Sequence, residues 1–303
     1  MAIGVAVSVA KVSSYLKMTE VNAFYARVAA AGGVITDYAA LLSAVIDLRT
    51  ITALNPSLFY QPVARKAGTA FSLVPADGSG DFAVTRSGVT AYEVNKNGYY
   101  QPVAENMPRH SYVGGVPTLQ IEKAATNLVG RFRSFEHADW TKSGIDIDDN
   151  GGAGYESPFV DANGINTNAA RKATATANNG YIRLATPAGV TAGQPYNDSI
   201  FIKRVAGTGQ ISLIDVNTAD RAITITNEWA RYDYTATAGS TSGQIGIKMA
   251  ASGDEILICH SQMTLTELSS PIGGTEGSAQ TRNADLIVKT GASALIGQTE
   301  GTL

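Results

Sequence analysis

Apolar and polar residues alternate along much of the second half of the chain. The clearest alternating positions are Ile223 and Ile225, Tyr232 and Tyr234, and Ile245, Ile247 and Met249. A period of two is typical of strands with one buried and one exposed face. Residues 200–202 and 211–216 are almost continuously apolar, as central strands are, and turns rich in Asn, Gly and Ser separate these segments. The pattern predicts a mainly β fold, an antiparallel jelly-roll β-sandwich over residues 126–290.

The first 57 residues follow a different pattern. Residues 3–9 alternate small and β-branched side chains, as in a strand. Thr19 can cap a helix that ends at Gly32, and Asp37 can cap a second helix that reaches Leu48. Two short helices bury little surface by themselves. They form either a subdomain packed on its own chain or an anchor completed by neighbouring subunits or a virion surface.

We expect the second of these alternatives, in which the N-terminal helices make the assembly contacts of a homo-oligomer. The residues assigned to these contacts are Phe24, Tyr25, Leu41, Leu42 and Val45. The domain organisation is then an anchor (1–57), a β meander (58–125), the sandwich (126–290) and a C-terminal tail (291–303). We predict the meander because residues 58–125 contain short alternating segments that are interrupted by prolines, and prolines restrict strands to edges or short lengths.

Composition and charge narrow the class of protein. The chain has 303 residues, of which 44% are hydrophobic and 16% charged, as expected of a folded protein. The net charge of −3 and the lack of Lys/Arg clusters argue against a nucleic-acid partner. The apolar stretch at residues 1–10 is too short to cross a bilayer, so no membrane insertion is expected. Cys259 is the one cysteine, which excludes an internal disulfide.

Several short motifs occur in a specific order between residues 82 and 288. They are FAVTR (82–86), VNKNG (94–98), PRHSY (108–112), LQIEKAATNL (119–128), FEHADWTKSG (135–144), SPI (270–272) and TRNAD (281–285). Their order and spacing resemble a signature common in bacteriophage virion proteins, where it joins a small β meander to a sandwich similar to carbohydrate-binding modules. This resemblance implies a location in the virion and a fold, but no ligand.

The resemblance implies a structural role, as a capsid decoration, head fibre or tail fibre component. Such a protein would act in assembly and in adhesion to the host surface, with other virion proteins and a cell-surface glycan as partners. The alternative is a carbohydrate-binding, lectin-like module. Binding to a glycan array would discriminate the two, because a purely structural body binds no sugar specifically.

The residues that could support catalysis are few and scattered. His110, His137 and His260 are far apart, and the chain contains no nucleophile elbow, zinc-protease motif or phosphate-binding loop. We therefore expect that the protein is not an enzyme. His260 continues an apolar segment and is expected to be a structural histidine.

An acidic turn offers a candidate cation site. Asp146, Asp148 and Asn150 precede Gly151 in the order D-x-D-x-N-G, which matches the first half of a calcium loop. The twelfth position, where a bidentate Glu belongs, is Ser157. A structural calcium and a solvated acidic turn are both compatible with this pattern, and the turn is the simpler interpretation.

Aromatic residues are the candidates for sugar binding, because the C–H faces of sugars stack on rings. Trp140 and Trp229 lie at the starts of predicted strands, so we expect them to be core residues. Tyr155, Tyr181 and Tyr196 lie in or near turns and are the preferred carbohydrate-binding candidates.

Overall fold

The computed structural model describes residues 15–41, 59–75, 77–185, 187 and 189–291. The predicted strand at 3–9, Leu42, Val45, Leu48 and all but the first residue of the predicted tail lie outside this part of the chain. Two compact units are present: an N-terminal unit and a sandwich unit. The N-terminal unit is formed from residues 1–86, 105–121 and 285–303, and the sandwich unit from residues 87–104 and 122–284.

This division differs from the boundaries predicted at residues 57 and 125. The difference arises from strand pairing. Residues 286–288 pair with residues 83–85 and so join the N-terminal unit, although the whole sandwich lies between the two segments in sequence. The predicted meander is consequently shared between the two units.

The N-terminal unit contains one described helix, α1 (Tyr15–Ala30), and a five-stranded antiparallel sheet. The strands of the sheet, in spatial order, are β1 (Val34–Ile35), β2 (Phe59–Lys66), β3 (Thr69–Val74), β4 (Phe82–Thr85) and β21 (Leu286–Val288). Strands β7 (Arg109–Val113) and β8 (Val116–Gln120) form a hairpin. Within the described residues, no helix combines the length and apolarity needed to cross a bilayer.

The helix ends agree only in part with the sequence prediction. Thr19 lies inside α1 and does not cap it, because the preceding Leu16, Lys17 and Met18 favour helix and extend it. Gly32 follows α1 with φ +70, the left-handed conformation that ends many helices. Asp37 caps the next helical residues as predicted, since its Oδ1 accepts the N–H of Ala40 at 2.9 Å.

The packing of the N-terminal unit contradicts part of the predicted assembly surface. Phe24 and Leu41 are fully buried against Phe71 and Leu73 of β3, so they cannot contact a neighbouring subunit. The sheet of the same chain covers the apolar helix face, a cover that the helices alone did not predict. Tyr25 is half-buried and stacks on Tyr38, with ring centroids 5.9 Å apart.

The sandwich unit consists of two five-stranded antiparallel sheets, which confirms the predicted fold class. The first sheet contains, in spatial order, β10 (Trp140–Ser143), β13 (Gly180–Ala185), β18 (Gln244–Met249), β15 (Ile211–Ile214) and β16 (Asp220–Ile223). The second contains β11 (Ile145–Asp148), β12 (Arg171–Ala175), β19 (Glu255–Leu265), β14 (Pro195–Ala206) and β17 (Ala230–Thr237). Two smaller pairs complete the unit: β5 (Ala91–Val94) with β6 (Tyr100–Val103), and β9 (Ala125–Asn127) with β20 (Gln280–Arg282).

The main core lies between the two sheets. It is built from the alternate, inward-facing residues of each strand, including Ile182, Ile247 and Ile258, together with Trp140. Trp140 is 2% exposed and donates its indole N–H to the carbonyl of Arg131 at 2.9 Å. The expectation that Trp140 is a core residue is confirmed.

A second, aromatic cluster covers the outer face of the second sheet. Phe201 of β14 and Cys259 of β19 face outward, and Tyr92 of β5 and Phe159 pack over them. This cover explains the continuous apolar runs at residues 200–202 of β14 and 256–259 of β19, because both faces of these strands are buried. Cys259 is completely buried, and burial raises the pKa of its thiol to about 12, as expected of a structural cysteine.

His260 belongs to the same aromatic cluster. Its ring stacks on Phe159 with centroids 5.1 Å apart, and its backbone has φ +51. It lies where the β14–β19 register shifts between Ser199 and Phe201, at a β-bulge. Burial, with Arg133 and Arg231 nearby, lowers the pKa of His260 well below its usual 6.5. The neutral ring packs in the core, which confirms the expected structural role.

Candidate functional site

Some charged residues of the ordered sequence motifs form buried ion pairs. In the N-terminal unit, Asp285 pairs with Arg109 and with Arg86, whose Nε lies 3.3 Å from Asp285 Oδ1. Both arginine side chains are inaccessible to solvent, and that of Asp285 is 4% exposed. A guanidinium placed in the interior needs a carboxylate partner. These motif residues therefore hold the fold together and are not available for a ligand.

A further buried arginine lies in the sandwich unit. Arg282 pairs with Glu122 and donates to the hydroxyl of Ser270 at 2.6 Å. Ser270 in turn donates its hydroxyl and its N–H to the two oxygens of Glu122, at 2.6 and 2.8 Å. Three separate motifs of the sequence thus meet in one hydrogen-bonded cluster with a structural role.

Tyr196 is corrected from candidate sugar ligand to core residue. It is 2% exposed within the core between the sheets, and its hydroxyl accepts the N–H of Thr191 at 2.8 Å. Position 196 has the same parity as Ile200 and Ile202, so the strand directs all three inward. That parity is visible in the sequence and could have identified Tyr196 as buried.

Tyr155 and the acidic turn form one local structure. The Tyr155 hydroxyl donates to Asp148 Oδ2, and the Asn150 N–H donates to Asp148 Oδ1 at 2.7 Å. The carboxamide nitrogen of Asn150 donates to Gly154 O at 3.0 Å, which closes the turn. The hydrogen bond from Tyr155 is the main reason that the pKa of Asp148 lies below its usual value.

This arrangement does not resemble a cation site. Both oxygens of Asp148 are already engaged, and Asp146 is exposed on the edge strand β11. Among the described residues, no three His, Cys, Asp or Glu side chains converge in a way that could hold a metal ion. A calcium ion at Asp146, Asp148 and Asn150 stays a prediction from the sequence.

Trp229 has an intermediate position. It is half-buried and packs at the margin of the aromatic cluster that contains Phe201, outside the main core. Its indole nitrogen is buried and has no hydrogen-bond partner within the described residues. The expectation of a core role is met in part, because the ring packs on a satellite cluster.

Within the described part of the chain, no element covers the outer side of the first sheet, which distinguishes it from the second sheet. Ile182 and Leu184 of β13 face the core, so Tyr181 and Arg183 face outward. We call the outward-facing side chains of the first sheet the open face. They form two rows across the strands: Thr141, Arg183, Gly246, Ile214 and Asp220 in the first row, and Ser143, Tyr181, Lys248, Ser212 and Ala222 in the second. All of them except Ile214 are partly or fully exposed.

Tyr181 and Arg183 form the most distinctive pair on the open face. The Arg183 guanidinium carbon lies 4.6 Å from the centroid of the Tyr181 ring, which is a cation–π contact. Next to them, Lys248 Nζ is 2.6 Å from Asp220 Oδ2 and forms an ion pair across the sheet. The face thus combines one aromatic ring with charged donors and acceptors.

Gly246 lies at the centre of the first row. A Cβ atom built on it would come within 2.1 Å of Ile182 O and 2.7 Å of Arg183 Cα, so no side chain fits there. Strands β13 and β18 thus approach closely at this point, and the first row carries no side chain between Arg183 and Ile214. The hydroxyls of Thr141, Ser143 and Ser212 add neutral hydrogen-bonding groups to the surrounding rows.

This combination is chemically suited to a sugar. Sugar rings offer apolar C–H faces that pack on an aromatic ring, and their hydroxyls need hydrogen-bond partners. Of the three tyrosines selected from the sequence, Tyr181 is the one on the open face. The sequence analysis missed Arg183 and Lys248. Arg183 has the same parity as Tyr181 and could have been found, whereas Lys248 joins the site through strand pairing.

Comparison with known proteins gives matches to solved structures alone. No family model matches the chain, and no curated protein matches it. The CBM22-1 xylan-binding domain from Paenibacillus barcinonensis Xyn10C is 17% identical, with a TM-score of 0.34, and the match covers 49% of this chain and 99% of that domain. A variant of the CBM29-2 module in complex with cellulohexaose is 13% identical, with a TM-score of 0.33 and coverage of 49% and 99%.

A phage protein is also among the similar structures. The enzymatically active domain of tailspike protein 4 from bacteriophage CBA120 is 11% identical, with a TM-score of 0.31. The match covers 45% of this chain and 20% of the tailspike chain.

Proposed function

We propose that the sandwich unit binds a glycan on the open face of its first sheet. The observation that carries this proposal is the half-exposed ring of Tyr181 amid hydroxyl and charged side chains on an uncovered sheet. The outer face of the second sheet is unavailable because the aromatic cluster fills it. Carbohydrate-binding sandwiches among the similar structures agree with a sugar ligand but do not identify one.

The test replaces the aromatic ring. In Tyr181→Ala, affinity for a glycan identified on an array should fall roughly tenfold or more, as expected when a central aromatic contact is removed. The melting temperature should change little, because Tyr181 faces away from the core. Tyr38→Ala is the matched control, since Tyr38 is a 59% exposed tyrosine of the N-terminal unit. Unchanged glycan affinity in Tyr181→Ala would refute the proposed site.

A second proposed role is that of a structural virion component. The resemblance of the ordered motifs to phage virion proteins supports it, and their residues make the buried ion pairs of Asp285 and Glu122. A glycan-binding sandwich on a virion would serve adhesion to a host surface. Antibodies against the chain should label purified phage particles, and light scattering should detect a homo-oligomer; unlabelled particles would contradict the virion assignment.

A further inference from the structure

Among the residues that the structure describes, Arg183 is the cation of the open face that has no carboxylate partner. Among the described residues, no acidic group lies within 4 Å of its guanidinium, and the guanidinium donates no hydrogen bond. By contrast, Lys248 on the same face is neutralised by Asp220. The open face therefore carries one uncompensated positive charge, although the chain as a whole has a net charge of −3.

The side chain of Arg183 is held in place by its surroundings. Its Nε is buried and has no acceptor among the described residues, and its guanidinium carbon lies 4.6 Å from the centroid of the Tyr181 ring. Gly246, which pairs with Arg183 on the neighbouring strand, carries no side chain that could cover the guanidinium. A stacked guanidinium keeps its two terminal nitrogens available in the fork geometry that suits a carboxylate. These features describe a pre-oriented anion-binding group next to an aromatic ring.

We propose that the ligand of the open face is an acidic glycan, with a uronic-acid carboxylate bound by the terminal nitrogens of Arg183. Tyr181 orients the guanidinium and contacts the sugar that bears the carboxylate. The hydroxyls of Thr141 and Ser143, on the neighbouring strand β10, meet the sugar hydroxyls. This inference rests on the proposed glycan-binding function and specifies the chemical class of its ligand.

The experiment uses the full chain and pairs of glycans that differ in charge alone. The probes are polygalacturonate, alginate and hyaluronan, each with its carboxyl-reduced counterpart, and xylohexaose as an additional neutral glycan. Affinity is measured by calorimetry at low and high salt. We expect binding to at least one acidic probe, weakened roughly 10- to 100-fold by carboxyl reduction, because a charge-assisted hydrogen bond is lost.

Arg183→Met tests the residue directly, because Met retains packing over Tyr181 but has no charge. It should weaken binding to the acidic probe as much as carboxyl reduction does, and should leave the reduced probe unaffected. Lys172→Met is the control. Lys172 is on strand β12 of the second sheet, and its Nζ lies 5.9 Å from the centroid of the Tyr155 ring, so it is also a cation over a tyrosine. Melting temperatures of all variants verify that the fold is retained.

The outcomes separate this inference from the function on which it rests. Binding of neutral and acidic probes with equal affinity, lost in Tyr181→Ala but retained in Arg183→Met, would overturn the acidic ligand and keep the glycan-binding site. Acidic binding that survives Arg183→Met would place the anion elsewhere and also overturn the inference. No binding to any probe or to the glycan array would overturn both proposals.

Discussion

Asp198 is the most unusual single residue of the sandwich core. The residue is 5% exposed, and neither of its buried carboxylate oxygens accepts a hydrogen bond of ordinary geometry from the described residues. It lines a cavity of about 20 Å³ between the sheets, which is large enough for one water molecule. Burial, and secondarily the nearby Asp215, raise the pKa of Asp198 well above its usual 3.8. Asp198 is therefore more readily protonated in the folded than in the unfolded protein.

This pKa predicts how stability depends on pH. Because the folded state holds the proton more tightly, the stabilisation is complete below about pH 3.8 and is lost as pH rises through the folded pKa. Asp198→Asn, which cannot ionise, should remove this dependence and raise the free energy of unfolding at pH 7 by roughly 1–3 kcal/mol. Denaturant unfolding from pH 4 to 8 measures both effects. Parallel pH profiles for the two proteins would show that the pKa of Asp198 is not raised in the folded state.

At the scale of elements, buried ion pairs join strands that are distant in sequence. Asp285 precedes β21, whereas its partners Arg86 and Arg109 follow β4 and begin β7. Removing the carboxylate leaves two buried guanidinium groups without this partner, and breaking such a pair is costly because the charge stays in the interior. The ion pairs are thus expected to contribute more to the N-terminal unit than surface pairs would.

Asp285→Asn should accordingly destabilise the N-terminal unit by roughly 3–5 kcal/mol, the usual effect of removing one partner of a buried pair. Asp146→Asn makes the same chemical change on an exposed strand and should have an effect within about 0.5 kcal/mol. Thermal unfolding of the three proteins compares them. Equal midpoints for Asp285→Asn and Asp146→Asn would mean that the buried pair contributes no net stability.

The positions of individual strands were easier to predict from the sequence than the order in which the strands pair. The alternation at Ile245, Ile247 and Met249 correctly predicted β18, and its buried side is the predicted one. The apolar run at 200–202 predicted a central strand, and β14 is indeed buried on both faces. The order of strands was not predictable, because pairs such as Tyr181 with Lys248 join residues that local periodicity cannot connect.

The same limit explains which candidate residues were misassigned. Phe24 was expected at an assembly interface because its helix has an apolar face, but Phe71, far along the chain, covers that face. The cover could not be inferred without knowing the sheet. In contrast, Tyr181 and Tyr196 could have been distinguished by parity alone, since each lies in a strand whose apolar positions show the inward direction.

At the scale of the whole molecule, the chain leaves and re-enters each unit. The sandwich unit takes residues 87–104, including β5 and β6, before the chain contributes 105–121 to the N-terminal unit. The sandwich predicted from sequence, at 126–290, lacks this first segment. Yet Tyr92 of β5 and Tyr100 of β6 pack on the outward face of the second sheet, where Phe201 and Cys259 are buried. The missing segment is therefore part of the core of the unit.

The final prediction is that a fragment of residues 87–284 folds, whereas a fragment of residues 125–284 does not remain soluble and native. The shorter fragment lacks the strands that cover Phe201, and an exposed aromatic patch on a sheet promotes association. The longer one carries 105–121 as an insertion. Thermal unfolding followed by near-ultraviolet circular dichroism, together with light scattering, compares the two. A shorter fragment that is monomeric and unfolds as cooperatively as the longer one would show that β5 and β6 are dispensable for the sandwich.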